Sequence, residues 1–125
     1  MQLVDLIKAE RVLDSLKNEK LDIQLSYKIM KFLKEIKDDI AFYDAKAKEI
    51  LNKYSIKDEN NELVMKNGLP QPDASKKAEI DKEVDELNKT EVKTPSITFD
   101  VREFIGLKLS VQDLMYLDNI LKEEE

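Results

Sequence analysis

The chain contains neither cysteine nor histidine. Without thiols there is no disulfide and no thiolate nucleophile. Without imidazole, the commonest general base and the usual metal ligand are missing, and Ser–His–Asp and Cys–His arrangements are excluded. Tryptophan is absent too, and there are two glycines, Gly68 and Gly106. Neither a phosphate-cradling loop nor a dinucleotide fingerprint can be built from these two. Three prolines, Pro70, Pro72 and Pro95, leave the first half of the chain uninterrupted. No apolar run approaches a membrane span or a signal-peptide core.

What remains is rich in charge. The 125 residues are 42% hydrophobic and 38% charged. The charged share exceeds the ~25% of an average soluble domain, yet the apolar share suffices for a core. The length fits one domain, residues 1–125. The net charge of −6 is uneven. Residues 1–56 carry eleven basic and ten acidic side chains, whereas residues 57–125 carry ten basic and seventeen acidic ones. Solvated helix faces account for much of this, and a polarised surface is permitted.

The stretch Asp22–Tyr54 organises the chain. Ile29, Leu33, Ile36, Ile40, Tyr43, Ala47, Ile50 and Tyr54 follow steps of four and three without a miss. That spacing predicts one long helix with a single apolar stripe. Leu25, Phe32, Phe42 and Leu51 widen it. Asp44–Lys48 and Glu49–Lys53 stand in the favourable acid-first order on the other face. Asp22 is the expected N-cap.

Around this rod the pattern predicts three shorter helices. Residues 3–17 carry Leu6, Ala9, Leu13 and Leu16 on one stripe, with Leu3 and Val12 beside it; Met1–Leu3 reads alternatively as a short strand. The polar break Asn18-Glu19-Lys20 folds this helix back on the start of the long one. Residues 75–89 form an antiparallel partner through Ile80, Val84 and Leu87, with Asp73 or Ser75 as cap. The last helix opens with Ser110 and Asp113 as a capping box and Leu109 and Leu114 as a hydrophobic staple. Leu114, Leu117 and Leu121 form its inner face, and residues 122–125 an acidic tail.

Two segments break the helical rhythm. Residues 57–73 read as an exposed excursion, with a turn cluster at Asp58–Asn61 and an Asn67-Gly68 hairpin turn whose strands Pro70 and Pro72 curtail. Thr90–Val101, with Val92, Ile97, Phe99 and Val101, suggests extended structure, which Pro95 either puts at a sheet edge or ends. Asp100 then caps a single turn, Val101–Ile105, closed by Gly106. The fold class is therefore mainly α: a single-domain helical bundle on one long helix (22–54) with a small β element.

Chemistry-bearing constellations are weak. Asp58-x-Asn60-x-Glu62 matches the start of a calcium loop, but Leu63 stands where the turn needs Gly and Leu69 where the closing carboxylate belongs. Glu35, Asp38 and Asp39 lie on the outer helix face, not on inward positions of several helices. Lys28, Lys31 and Lys34 step along the rod without arginine or interleaved aromatics, so a solvated face is preferred over a phosphate track. Tyr27, Phe32, Phe42, Tyr43 and Tyr54 fall at helical spacing and read as core. Phe42 fits the stripe least well and is the first interface candidate. Leu63, Val64, Met65 and Leu69, set among turn residues, are the others. No catalytic, metal or cofactor residue is expected.

The order of features carries one resemblance. Leu21-Asp22-Ile23-Gln24-Leu25-Ser26-Tyr27-Lys28 enters the long helix, Phe42-Tyr43 lies in its middle and Asn52-Lys53-Tyr54-Ser55 near its end. Asp58-Glu59-Asn60-Asn61-Glu62-Leu63-Val64 follows, then Glu86-Leu87, Glu91-Val92, Ile97 and Gly106-Leu107-Lys108-Leu109-Ser110-Val111-Gln112-Asp113-Leu114. Over residues 2–121 this resembles a family of small, largely uncharacterised bacteriophage and prophage proteins. The family's turn carries Gly after Asp-Glu-Asn; Asn61 stands there here, and Asn tolerates the left-handed conformation. Val64–Asp73 departs most from the family pattern. The resemblance implies a phage origin and no known enzymatic activity, and it supplies no functional residues. The expectation is a non-enzymatic protein working through protein–protein contacts in virion structure or assembly. The alternatives are an early protein that inhibits a host enzyme or defence system through its acidic half, and a nucleic-acid accessory. The expected partner is a phage or host protein, or a second copy, with no specific nucleic acid and no membrane. The expected location is the cytoplasm of the bacterial host or the virion.

Overall fold

The computed structural model describes residues 1–122; the expected acidic tail lies outside the described residues except for Lys122. Helix α1 is Leu3–Ser15 and helix α2 is Ile23–Lys53. At ~1.5 Å per residue, α2 is roughly 46 Å long. Its N-cap is Asp22, whose carboxylate accepts from the Leu25 amide at 2.9 Å. The N-terminal turn of α1 is closed by a reciprocal box between Gln2 and Asp5.

Helix α1 runs antiparallel to α2. Its C-terminal residues Val12, Leu13 and Leu16 share a cluster with Leu25, Ile29, Phe32 and Ile36, while Leu3 at its start meets Ile50 and Leu87. After α2 the chain makes a small antiparallel hairpin, β1 Met65–Lys66 and β2 Leu69–Pro70. Met65 pairs with Pro70 and Lys66 with Leu69. Asn67 and Gly68 both take positive φ, 54° and 79°, as a two-residue hairpin turn of this hand requires. Asn61 also takes φ 61°, a left-handed conformation that Asn tolerates.

The excursion is more ordered than its composition suggests. The Asp58 carboxylate accepts from the amides of Asn60 and Glu62. The segment at Ile56 is paired on both sides: Ile56 N–H donates to Gln71 and Val64 N–H donates to Ile56, both at 2.8 Å. Pro72 and Leu63 bridge Ser55 and Lys57. Three short extended segments thus lie side by side at the end of the rod.

A 3-10 turn, Ala74–Lys76, capped by Asp73, leads into α3, Lys77–Asn88. Lys53 near the end of α2 meets Glu83 at 3.2 Å. Phe42, a few turns earlier on α2, shares a hollow with Thr90 just past α3. The two helices are therefore antiparallel. The acid-first pairs expected within α2 are replaced: Glu49 pairs with Lys46, and Lys53 reaches across to Glu83.

Thr90–Val101 forms no regular strand. It crosses the bundle extended, bridged at its start to Gln2 through Glu91 and at its end to Leu121 through Phe99. Its partners are single residues on different elements, so no ladder builds up; Pro95, within the segment, is buried. Asp100 caps the 3-10 turn Val101–Phe104 by accepting from the Arg102 amide, and Gly106 follows at φ 91°. Helix α4, Val111–Leu117, opens on the capping box, with Ser110 Oγ and Asp113 N at 3.0 Å and the reciprocal bond also at 3.0 Å. A 3-10 turn, Asp118–Ile120, ends it.

The core is one large cluster and one small one. The large cluster joins α1, the first half of α2, Phe99, Phe104, Leu117 and Ile120. Phe32 and Phe99 are fully buried and meet edge-to-face at 5.6 Å. The small cluster, Leu3, Ile50 and Leu87, takes in Tyr43, Ala47, Ile80 and Val84, and Val92 touches both. The buried line on α2 is Leu25, Ile29, Phe32, Ile36, so Leu33 and Ile40 are only half-buried and do not form the centre of the stripe. Along the first half of α2, α1 and the Phe99 segment pack on this line, and that sets the rotation of the helix.

Candidate protein-contact surfaces

Each residue expected to mark a surface has a definite place. Phe42 is 47% exposed at the edge of the α2–α3 seam, beside Lys46, Glu49 and Glu83. Half of its ring is already in water, so Phe42→Ala should shift stability by under ~1 kcal/mol in chemical denaturation. A loss of several kcal/mol would make Phe42 a core residue. Leu63 and Val64 are half-buried within the paired segments. Met65 and Leu69 are exposed, but their register puts them on opposite faces of the hairpin. These five residues therefore do not make one patch.

Of the acids singled out on α2, Glu35 has structural work. Glu35 Oε1 accepts from the Ser96 amide at 2.6 Å and ties the crossing segment to the rod, sixty-one residues away in sequence. That backbone hydrogen bond lowers the Glu35 pKa below its ordinary 4.5. A lowered folded pKa contributes stability that is present above the unfolded value and is lost as pH falls through the folded one. Glu35→Gln should therefore cost about 1 kcal/mol or less near neutral pH, solvent screening included, and should flatten the acid side of the stability curve below about pH 4.5. An acid limb unchanged by the substitution would detach Glu35 from that role. No group of three or more acids is placed to share a metal ion among the described residues.

The lysines of α2 are divided. Lys28 Nζ lies 2.6 Å from Glu103 and 4.9 Å above the Phe99 ring, closing the core. Lys31 stacks over Tyr27 at 5.2 Å. Lys34 faces a different hollow. The three do not form a common row of free ammonium groups.

Two apolar surfaces were not singled out by the sequence reading. The first begins on the outer side of α2. Ile23 is 83% exposed and Tyr27 57%, and Met30 follows them at a spacing of four and three. Tyr27 is thus on the surface, not in the core. Met30 leads into a groove of about 470 Å³ between α2 and the α1–α2 connection. Leu16, Leu21, Ile29 and Leu33 line it, and Lys17, Lys34 and Lys37 border it. The spacing of Ile23, Tyr27 and Met30 was visible, but the stronger stripe beside it masked it.

The second surface is on α4. Val111 is 76% and Met115 69% exposed; with Val101, Leu114 and Leu121 they line a shallow apolar hollow of about 470 Å³. One turn of helix places Val111 and Met115 on the same side. The inner-face reading holds for Leu117, which is fully buried, and Ile120 is buried with it.

No helix of the described residues is long and apolar enough to cross a membrane. Among known proteins, no family model, curated sequence or solved structure matches the chain.

Proposed function

We propose that the protein acts without catalysis, by contact with another protein, in the structure or assembly of a phage particle inside the bacterial host. The observation that supports a contact role is the pair of uncovered apolar surfaces, Ile23–Tyr27–Met30 with its groove and Val111–Met115 on α4. Large exposed apolar patches mark interaction sites more often than idle surface. The phage setting rests on the resemblance carried by the helix and turn motifs. The residue inventory supports the absence of catalysis, since the usual nucleophile–base pairs cannot be assembled from it.

Purification of the tagged chain across a phage infection tests this reading. The expected result is a phage structural or assembly protein recovered late, and lost when Met30 and Met115 are both changed to Glu. Early recovery of a host enzyme instead would replace assembly with inhibition. Recovery of nucleic acid that depends on Lys31 and Lys34 would replace protein contact altogether.

A further inference from the structure

We infer that the groove between α2 and the α1–α2 connection seats an amphipathic helix of a partner protein, one with acidic residues flanking its apolar stripe. The inference rests on the protein-contact reading and names the partner's chemistry.

Three observations converge on it. The first is shape. From Ile23 to Lys37, α2 offers about 21 Å of continuous surface, which matches a helix of roughly fourteen residues. Ile23 and Tyr27 are not part of the groove's lining; exposed on the same helix and leading to Met30 at a spacing of four and three, they extend the apolar surface of α2 outside it. A small ligand would leave that extension uncovered, since small-molecule sites enclose most of their ligand. A helix with anchors at i, i+3 or i+4, and i+7 would cover it.

The second is the lining. Leu16, Leu21, Ile29, Met30 and Leu33 supply almost all of it, with Ser26 the one hydroxyl. Met30 is partly exposed at the mouth, and its unbranched thioether adapts to differently shaped side chains.

The third is charge. Among the described residues, three lysines border the groove against one acid, Glu19. Lys17 pairs with Asp14, at 3.4 Å on the surface. Lys34 and Lys37 form no ion pair among the described residues, although Asp38 stands one turn from Lys34. In a chain of net charge −6, this is a local positive rim around an apolar floor. Such a rim selects acids on an occupant and repels a basic amphipathic helix. A second copy would bring another set of these lysines to the same rim if it docked groove to groove.

Selection from a displayed library of amphipathic helical peptides, about fourteen residues long and varied at the flanking positions, tests the inference on the full chain. The enriched peptides should carry Asp or Glu beside an apolar stripe. Anisotropy of the labelled synthetic peptide should show binding that weakens with added salt. The double variant K34E/K37E should weaken binding roughly tenfold or more. Both lysines are exposed, so an unchanged thermal melt should accompany that loss. Met30→Glu should weaken binding as well, and Met115→Glu should leave it unchanged. Enrichment of basic or neutral peptides, no enrichment, or full binding to K34E/K37E would overturn the inference. So would a dimer in sedimentation that Met30→Glu dissolves, because the occupant would then be a second copy. Peptides that depend on Met115 instead would remove the groove assignment and leave the contact reading standing.

Discussion

Phe32→Ala should destabilise the fold by about 3–5 kcal/mol, the largest loss expected for any single truncation on α2. The ring is fully buried, sits edge-to-face on Phe99, and belongs to the cluster that holds α1, the crossing segment and α4 together. Phe99 is in turn 5.6 Å from the Phe104 ring. Removing Phe32 would leave a cavity among side chains fixed by four separate elements, none of which can collapse inward alone. Ile36→Ala, at 1% exposure, should cost about 2–5 kcal/mol. Leu33→Ala and Ile40→Ala should cost less than either, because water already reaches their side chains. Urea denaturation followed by circular dichroism measures the series. If Phe32→Ala costs under ~1 kcal/mol, or Leu33→Ala costs more than Phe32→Ala, the buried line assigned to α2 is wrong.

The order of that series also shows what the sequence could and could not tell. Its periodicity located the rod to within a residue at each end, since a cap and a run of steps are local facts. Asp22, Asp100, Ser110 with Asp113, and Asn67-Gly68 all do locally what their chemistry prescribes. The rotation of the rod was not legible. Leu25, Ile29, Phe32 and Ile36 step by four and three as regularly as Ile29, Leu33, Ile36 and Ile40 do. Only the position of α1 and Phe99 chooses between the two lines.

The same limit applies to Thr90–Val101. Its residues have strand propensity, but Phe99 N–H donates to Ile120 and Lys122 N–H donates to Phe99, while Ser96 donates to Glu35. Those partners lie far along the chain, and propensity says nothing about them. For the surfaces, Phe42, the residue that fits the stripe least well, is half-exposed, as is Tyr27, although helical spacing put both among the core aromatics. The Ile23–Tyr27–Met30 face was missed because an apolar residue at helical spacing is usually buried, and here the α1–α2 connection does not reach far enough to cover it.

Ala41→Pro should cost about 3 kcal/mol or more, whereas Ala41→Gly should cost about 1 kcal/mol. Ala41 is exposed, so neither change removes core packing. Proline there deletes the bond from the residue-41 amide to the Lys37 carbonyl and drives its ring against that carbonyl. The position matters because the two core clusters divide there. Ile40 packs on the large cluster and Tyr43 on the small one. Among the described residues, the two clusters are joined, besides α2, by α1 through Leu3 and by the shared contact at Val92. A break at Ala41 should therefore loosen the small cluster first. Amide exchange should rise in Lys77–Asn88 and around Ile50 while the amides near Phe32 and Ile36 stay protected. Uniform acceleration along the whole chain would mean the clusters unfold as one unit. A cost equal to that of Ala41→Gly would mean that the continuity of the rod does not hold the bundle together.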